Sequence, residues 1–358
     1  KSGYLEGTFK GCDSMINIHN IYYMLSYAFT VLNKKGYQHI ATESFNNVAD
    51  LYSALLIKGV SSQLRYGLQH DYLEHNDSLN VVRGKINVTA SIKQGTMMHK
   101  QLNCTYDEFS INTYMNQILK TTMLNVLKLD ISRTRKKALK RLLIYFEQVD
   151  ILDYRHIDWQ LRFDRHHETY RMLMAICYLV TQGRIQSERS GSRETMMFED
   201  EQQMARLYER FVRAYYKKEF PQLKVTASHI PWAIDDDHHH MLPTMRSDVM
   251  LTYGTQCLII DTKYYTSTLQ QYFDTRTIHS GNLYQIFAYV KNEALHLKPK
   301  QINVAGMLLY AKTDEQLVPD NTFQMSGNTI SVKTLDLNQE FIHIAKQLND
   351  IVYNYFKI

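Results

Sequence analysis

Cysteine is scarce, with four in 358 residues. Cys12, Cys104, Cys177 and Cys257 stand far apart and form no CxxC pair, which offers neither a zinc site nor a disulfide framework. A reducing, cytoplasmic compartment is the expectation. No run approaches the roughly 18–20 uninterrupted apolar residues that a membrane helix requires. The polar stretch Lys1–Ser14 lacks the apolar core of a signal peptide, so residues 1–14 are expected to be a loose tail. Glycine (14) and proline (5) are too few for collagen-like or low-complexity organisation. The chain also has no GxxxxGK[ST] run, so it carries no phosphate-cradling loop of that kind, and any nucleotide-driven step belongs to a partner.

What is present is an ordinary globular composition, 44% apolar, long enough for two domains. The net charge of +5 is unevenly placed. Residues 1–170 hold 21 basic against 16 acidic side chains and the remainder is balanced, a bias that permits contact with nucleic acid without demanding it.

Apolar spacing predicts a buried first helix over residues 18–32, with Ile21, Met24, Leu25, Ala28 and Phe29 on one side. A second helix is expected over 45–67 and short strands in 69–94 around a turn at Arg83-Gly84-Lys85. Tyr106–Phe109 leads into a long helical pattern through Tyr114 and Leu127, followed by a helix over 135–147. That last segment carries the densest basic cluster, Arg133, Arg135, Lys136, Lys137, Lys140 and Arg141, which suits a solvated face or one that contacts phosphate or a partner.

Between Gln182 and Glu194 the composition turns to Gly, Ser, Arg and Gln, marking a boundary between a mixed helix/strand domain (15–185) and a second domain (195–358). The second opens on an amphipathic helix, Phe198–Phe220. Two strands, a helix over 282–293, a buried strand Val304–Tyr310 and a helix over 338–355 follow. The fold class is α/β (α+β overall), with a mixed sheet flanked by helices.

The chemistry lies around the turn Gly254-Thr255. If a hairpin is centred there, Asp248 and Asp261 face each other across an antiparallel pair, with β-carbons about 4.5–5.5 Å apart. Lys263 lies on the same face because strand side chains alternate. Two close carboxylates are costly unless a cation neutralises them, and Mg²⁺ (or Mn²⁺) is the expected ion. A lysine beside them suits phosphodiester hydrolysis. The alternative is a cross-strand ion pair of Asp248 with Lys263 on a solvated face, although Leu258-Ile259-Ile260 marks the second strand as buried.

This Asp…Asp-x-Lys pattern resembles the PD-(D/E)xK nuclease superfamily. Within it, the chain resembles the McrC subunit family of the McrBC restriction systems, which act on modified cytosine such as 5-methylcytosine. The matching segments are Asn20–Ala28, Gly84–Ile86, Tyr106–Phe109, Ile260–Tyr265 and Asn282–Gln285, in both halves of the chain. Asp248 follows Ser247 rather than a proline, a departure that weakens only the name of the motif.

The resemblance implies a type IV restriction endonuclease subunit with Asp248, Asp261 and Lys263 as its catalytic triplet. It places Gln285 and Tyr289 beside them on the following helix, where Gln285 could otherwise simply pack. Glu209 is a candidate third metal ligand or a solvated helix residue. The implied partners are an McrB-like AAA+ GTPase hexamer, through which alone GTP enters, and double-stranded DNA containing modified cytosine. Residues 15–180 would dock on the ring, with Arg83, Lys85 and the 133–141 cluster as candidate contacts. A non-catalytic adaptor that stimulates the GTPase and a stand-alone repair nuclease are the competing functions.

Asp235-Asp236-Asp237 with His238-His239-His240, and His166-His167-Glu168, lack converging ligand spacing and are expected to be solvated. Trp159 and Trp232 are expected to anchor packing rather than stack on bases.

Overall fold

The computed structural model describes residues 17–33, 37–163, 167–190, 201–236, 240–264, 269–272, 275–312 and 319–358. The expected tail 1–14 lies outside these, as do Asp237, His238, His239, His166 and Tyr265. Two compact units form: one from Lys1–Lys34 with Glu199–Ile358, the other from Lys35–Phe198. Among the described residues no helix is long and apolar enough to cross a membrane.

The first helix, α1 (Ile18–Ala28), starts where the Asn17 side chain accepts from His19 N–H. It is shorter than its apolar pattern, because Phe29 turns extended and Thr30–Asn33 tighten into a 3₁₀ turn. The linear boundary expected near residue 190 grouped this helix with residues 15–185, whereas it lies in the unit built from the C-terminal half. Its aromatic face provides the reason. Tyr23 stacks on Phe341 at 4.4 Å, Tyr27 packs against Phe211 and Tyr215, and buried Asn20 donates to the carbonyls of Leu337 (2.8 Å) and Gln339 (2.6 Å).

The 35–198 unit is helical at its centre. α2 (Val48–Tyr66) is followed by β1 (Asp71–Leu79), β2 (Lys85–Ile86), α3 (Val88–Lys93), β3 (Leu102–Ser110), α4 (Tyr114–Val126), α5 (Arg133–Leu143) and α6 (Glu168–Ser190). Asn47, Thr113 and Ser132 cap α2, α4 and α5 by accepting from backbone N–H groups, each cap stabilising its helix by about 1 kcal/mol. The expected linker is helical as far as Ser190, and its residues 191–194 lie outside the described set. Leu51, Leu55, Ile118, Leu119, Leu173 and Ile176 fill the core.

β1, β3 and β2 form a separate three-stranded antiparallel sheet in that order, with Tyr106–Phe109 inside β3. The segment around it exposes Val81, Val82, Val88, Ile92, Met97 and Met98. Trp159 packs edge-on against Tyr178 at 5.0 Å, an anchor as expected.

In the other unit, α7 (Glu201–Glu219) precedes β4 (Lys224–Thr226), β5 (His229–Ile230), β6 (Met245–Arg246), β7 (Val249–Tyr253), β8 (Gln256–Lys263), β9 (Leu269–Tyr272) and β10 (Thr275–Ile278). Then come α8 (Ser280–Leu297), β11 (Asn303–Ala311), β12 (Asn321–Met325), β13 (Asn328–Leu335) and α9 (Phe341–Phe356). The principal sheet has the order β12-β13-β11-β8-β7-β4. It is mixed: β11 runs parallel to β8 and β13, while β7 with β8 and β12 with β13 are antiparallel.

Central strand β8 is buried from Cys257 to Thr262, and each enclosed Leu or Ile side chain contributes about 1.5–3 kcal/mol. Cys257 and Ile259 share a core with Ile286, Tyr289 and Val290 of α8 and with Leu308 of β11. Side chains alternate along a strand, so the next two residues on that face, Asp261 and Lys263, are directed toward α8.

Candidate active site

The hairpin register places the acids where the turn predicted. Val249 pairs with Ile260 and Tyr253 with Gln256, leaving Gly254 and Thr255 as the turn, with Gly254 at φ +54° where a side chain would be strained. The ladder ends at that Val249–Ile260 pair; Asp248, in a bend just outside β7, and Asp261, next along β8, follow it on the two sides and lie near enough for their charges to interact. Asp248 also closes that end. Its Oδ2 accepts from the Thr262 N–H and from the Thr262 hydroxyl, both at 2.8 Å.

Asp261 is 2% exposed, and the ammonium of Lys263 lies 2.7 Å from its Oδ2. The ion pair therefore runs along one strand, not across the hairpin from Asp248 to Lys263. Burial pushes the Asp261 carboxyl up to about 6, opposed by Lys263 and reinforced by the charges of Asp248 and Glu209. Desolvation wins because the interior replaces the hydration of a carboxylate poorly and a single ammonium cannot make up the loss.

Helix α8 completes the arrangement. Lys263 Nζ donates to Gln285 Oε1 at 3.0 Å, and Gln285 Nε2 donates to the Tyr289 hydroxyl at 2.8 Å. Gln285 and Tyr289 are four residues apart and so lie on one helix face. Asn282, one turn earlier, donates to the Tyr310 hydroxyl at 2.9 Å in the buried interior and fixes α8 to β11. The Gln285 amide thus holds the lysine rather than merely filling space.

Glu209 on α7 is held by Arg213 at 2.9 Å. The same Arg213 guanidinium donates to the backbone carbonyl of Asp248 at 3.2 Å, a link that sequence reasoning missed, since an i,i+4 Glu–Arg pair looks like ordinary helix decoration. Burial first, and the charge of Asp248 second, raise the Glu209 carboxyl above its ordinary value. Glu209 therefore belongs to the electrostatic neighbourhood of Asp248 and Asp261.

Among the described residues no three acidic, histidine or cysteine side chains converge into a ready-made metal cage. The donors present are carboxylate oxygens, two of them just past the end of the hairpin ladder, and one of these is buried and costly to ionise. That set fits Mg²⁺, or Mn²⁺ with its similar preference for oxygen, since Mg²⁺ binds through one or two carboxylates and retains waters.

Elsewhere, Trp232 donates to the Pro243 carbonyl at 2.6 Å and packs on the sheet core, again an anchor. Asp235, Asp236 and His240 are exposed.

The family described as McrBC 5-methylcytosine restriction system component matches residues 10–311. The Type IV methyl-directed restriction enzyme EcoKMcrBC of Escherichia coli (strain K12) is 27% identical over 352 residues, covering 96% of this chain and 99% of that protein. Two solved structures from Thermococcus gammatolerans are also similar. One is the half-complex from the tetradecameric assembly of McrB AAA+ hexamers with bound McrC, at a TM-score of 0.48 and 16% identity over 93% of this chain and 76% of the other. The second is the McrBC complex, at a TM-score of 0.41 and 18% identity over 56% and 58% of the two chains.

Proposed function

Because the chain belongs to the family of McrBC 5-methylcytosine restriction system components, we propose that it is the DNA-cutting subunit of a GTP-dependent restriction complex directed at modified cytosine. The observation that carries the reading is the chain of contacts from buried Asp261 through Lys263 to Gln285, set beside Asp248 at the end of a buried strand. A solvated strand face has no reason to enclose a carboxylate at 2% exposure and hold its lysine from a second element.

Asp248 and Asp261 would hold Mg²⁺, with Glu209 as a further acid nearby. When bound, the ion neutralises the carboxylates and supplies Lewis acidity toward a scissile phosphate. The chain's own groups do the rest. Lys263, kept in place by Asp261 and Gln285, presents a positive charge to the oxygens on which charge develops as the phosphodiester opens. Thr262 holds the Asp248 carboxylate, and Arg213 holds both Glu209 and the Asp248 backbone, so the acids are pre-organised before substrate arrives.

The 35–198 unit would dock on an AAA+ GTPase ring and stimulate it, as expected for residues 15–180 without α1. In support, the short segment 81–98 exposes Val81, Val82, Ile92, Met97 and Met98, and a concentration of exposed apolar side chains marks an interaction site more often than single ones do. Arg83 lies over the Tyr106 ring at 4.3 Å, and Lys85 is the second basic side chain at that turn.

The test is cleavage of methylated and unmethylated plasmid with Mg²⁺, with and without the cognate GTPase and GTP, beside Asp261→Ala. Cutting that needs methylation, GTPase, GTP and Asp261 together is expected. Cutting by the chain alone would favour the stand-alone repair nuclease. Restriction in cells that survives Asp261→Ala would favour the adaptor.

A further inference from the structure

The exposed side of α5 is positively charged from end to end. Arg133, Lys136, Lys137, Lys140 and Arg141, with Ile144 beyond the helix, line an open groove of about 450 Å³. None of the five cations has an ion-pair partner among the described residues. The sixth basic residue, Arg135, is turned inward onto buried Asp50 and onto Glu43 at 2.8 Å. That inward anchor fixes the rotation of the helix, so the other five stand outward together.

The arrangement is expensive for the protein alone. The helix sequence RTRKKALKRLL contains no acidic residue, and like charges three or four positions apart destabilise a helix by about 0.2–0.5 kcal/mol per pair. Arg133 also sits at the positive end of the helix dipole, where a cation is disfavoured. A merely solvated helix gains nothing from this pattern, whereas a polyanion would relieve every one of these repulsions.

We propose that this face of α5 binds the phosphate backbone of duplex DNA without regard to sequence. The cations occupy successive helical turns over about 12 Å, given a rise of 1.5 Å per residue, and so span several phosphates of a strand spaced about 3.4 Å along the duplex axis. Three of the five are lysines, which are depleted from the cores of protein interfaces but serve well as point charges toward phosphate. The groove offers only Ile144 as an apolar wall, too little to seat the buried anchor of a protein partner. The choice of DNA among polyanions rests on the nuclease reading; the presence of a polyanion site rests on α5 alone.

The test uses the full chain in EDTA, with anisotropy of a labelled unmodified duplex across a KCl series. Lys137, Lys140 and Arg141 are all exposed, and the triple change Lys137→Ala, Lys140→Ala, Arg141→Ala keeps good helix formers. Its log–log salt slope is expected to fall by about 2–3, near 0.9 per lost contact, while Lys137→Arg with Lys140→Arg keeps the parent slope. An unchanged slope in the triple variant overturns the proposal, and loss of poly-glutamate binding with that slope unchanged would assign the face to an acidic protein instead. A slope lost equally in the charge-retaining variant overturns it too. Asp261→Ala separates the two readings, because it should abolish cutting and leave the slope intact.

Discussion

The carboxylate of Asp248 accepts two hydrogen bonds from one residue, Thr262, through the backbone N–H and the side-chain hydroxyl, both at 2.8 Å. The hydroxyl adds nothing to the strand ladder, so its contribution is to hold the acid. Thr262→Val keeps the shape and the N–H but removes that second donor. A hydrogen bond to a charged group contributes about 1.5–3 kcal/mol, and part of this is expected as lost stability. Cleavage should fall several-fold and need more Mg²⁺ for half-maximal rate, whereas Asp248→Ala should abolish it. A Mg²⁺ titration of cleavage rate that is identical for Thr262→Val and parent would remove the positioning role.

Gln285 and Tyr289 act on Lys263 in series, so their losses should be graded. Gln285→Ala removes the carbonyl that holds the ammonium and is expected to lower the cleavage rate about 10–100-fold, in line with losing a transition-state interaction of about 1.4–2.7 kcal/mol. Tyr289→Phe only releases the far end of the Gln285 amide and should cost less than about 5-fold by the same scale. Single-turnover rates under saturating Mg²⁺ separate the two, and a reversed order would break the proposed relay.

The hairpin is legible because its information is local: a turn glycine and two alternating strands set the register from Val249–Ile260 to Tyr253–Gln256, beyond which Asp248 and Asp261 come close. The place of α1 is not, since the partners of Tyr23 and Asn20 lie more than three hundred residues away at Phe341 and Leu337, and no local pattern reports them. The direction of the Lys263 ion pair was equally hidden, because alternation puts both Asp248 and Asp261 on its side and only side-chain reach decides. Gln285 and Tyr289 came from the family resemblance rather than from spacing. The role of Arg213 is not legible in the sequence, because its second bond goes to a backbone carbonyl, which no residue type marks. The Gly, Ser, Arg and Gln content after Gln182 points to a linker, but α6 extends to Ser190.

At Gly306 of β11 the side chains of α8 press close against the sheet. A β-carbon there would stand 2.6 Å from Val290 Cγ2 and 2.8 Å from Ile286 Cγ1, so Gly306→Ala must displace these side chains of the helix that carries Gln285 and Tyr289. Overpacking of this kind costs about 1–3 kcal/mol. The expected outcome is a lowered melting temperature with a fall in cleavage larger than that of Tyr289→Phe. Wild-type cleavage in this variant would show that the site tolerates movement of these α8 side chains.

The apolar surface of the 35–198 unit predicts a separable defect. Val82 and Met98 are 53% and 88% exposed, so Val82→Asp loses only part of one side chain's packing and Met98→Asp almost none, and stability should change by no more than about 1 kcal/mol and about 0.5 kcal/mol respectively. Stimulation of the partner's GTP hydrolysis is expected to drop at least tenfold. GTPase assays with equal stimulation by parent and variants would place the contact elsewhere.

Asp261 ties stability to pH in the sense opposite to a surface carboxylate. Its folded value of about 6 lies above the ordinary 3.8, so between those values the folded chain binds the proton more tightly than the unfolded chain. The group's contribution is therefore full below about pH 4, is lost as pH rises through 6, and is constant above it. The loss is about 3 kcal/mol at most, at 1.36 kcal/mol per pH unit. Asp261→Asn cannot ionise and escapes it, although the Lys263 ammonium then keeps Gln285 but loses its carboxylate, which takes back part of the gain. In EDTA at pH 7.5 the variant is expected to melt several degrees above the parent, with the gap closing at pH 4.5. Mg²⁺ should narrow the gap at pH 7.5 by raising the parent alone, because a ligand stabilises only the state that binds it. Equal melting temperatures at both pH values would mean that the buried carboxylate is fully compensated by Lys263, and that no ion is needed to make its charge tolerable.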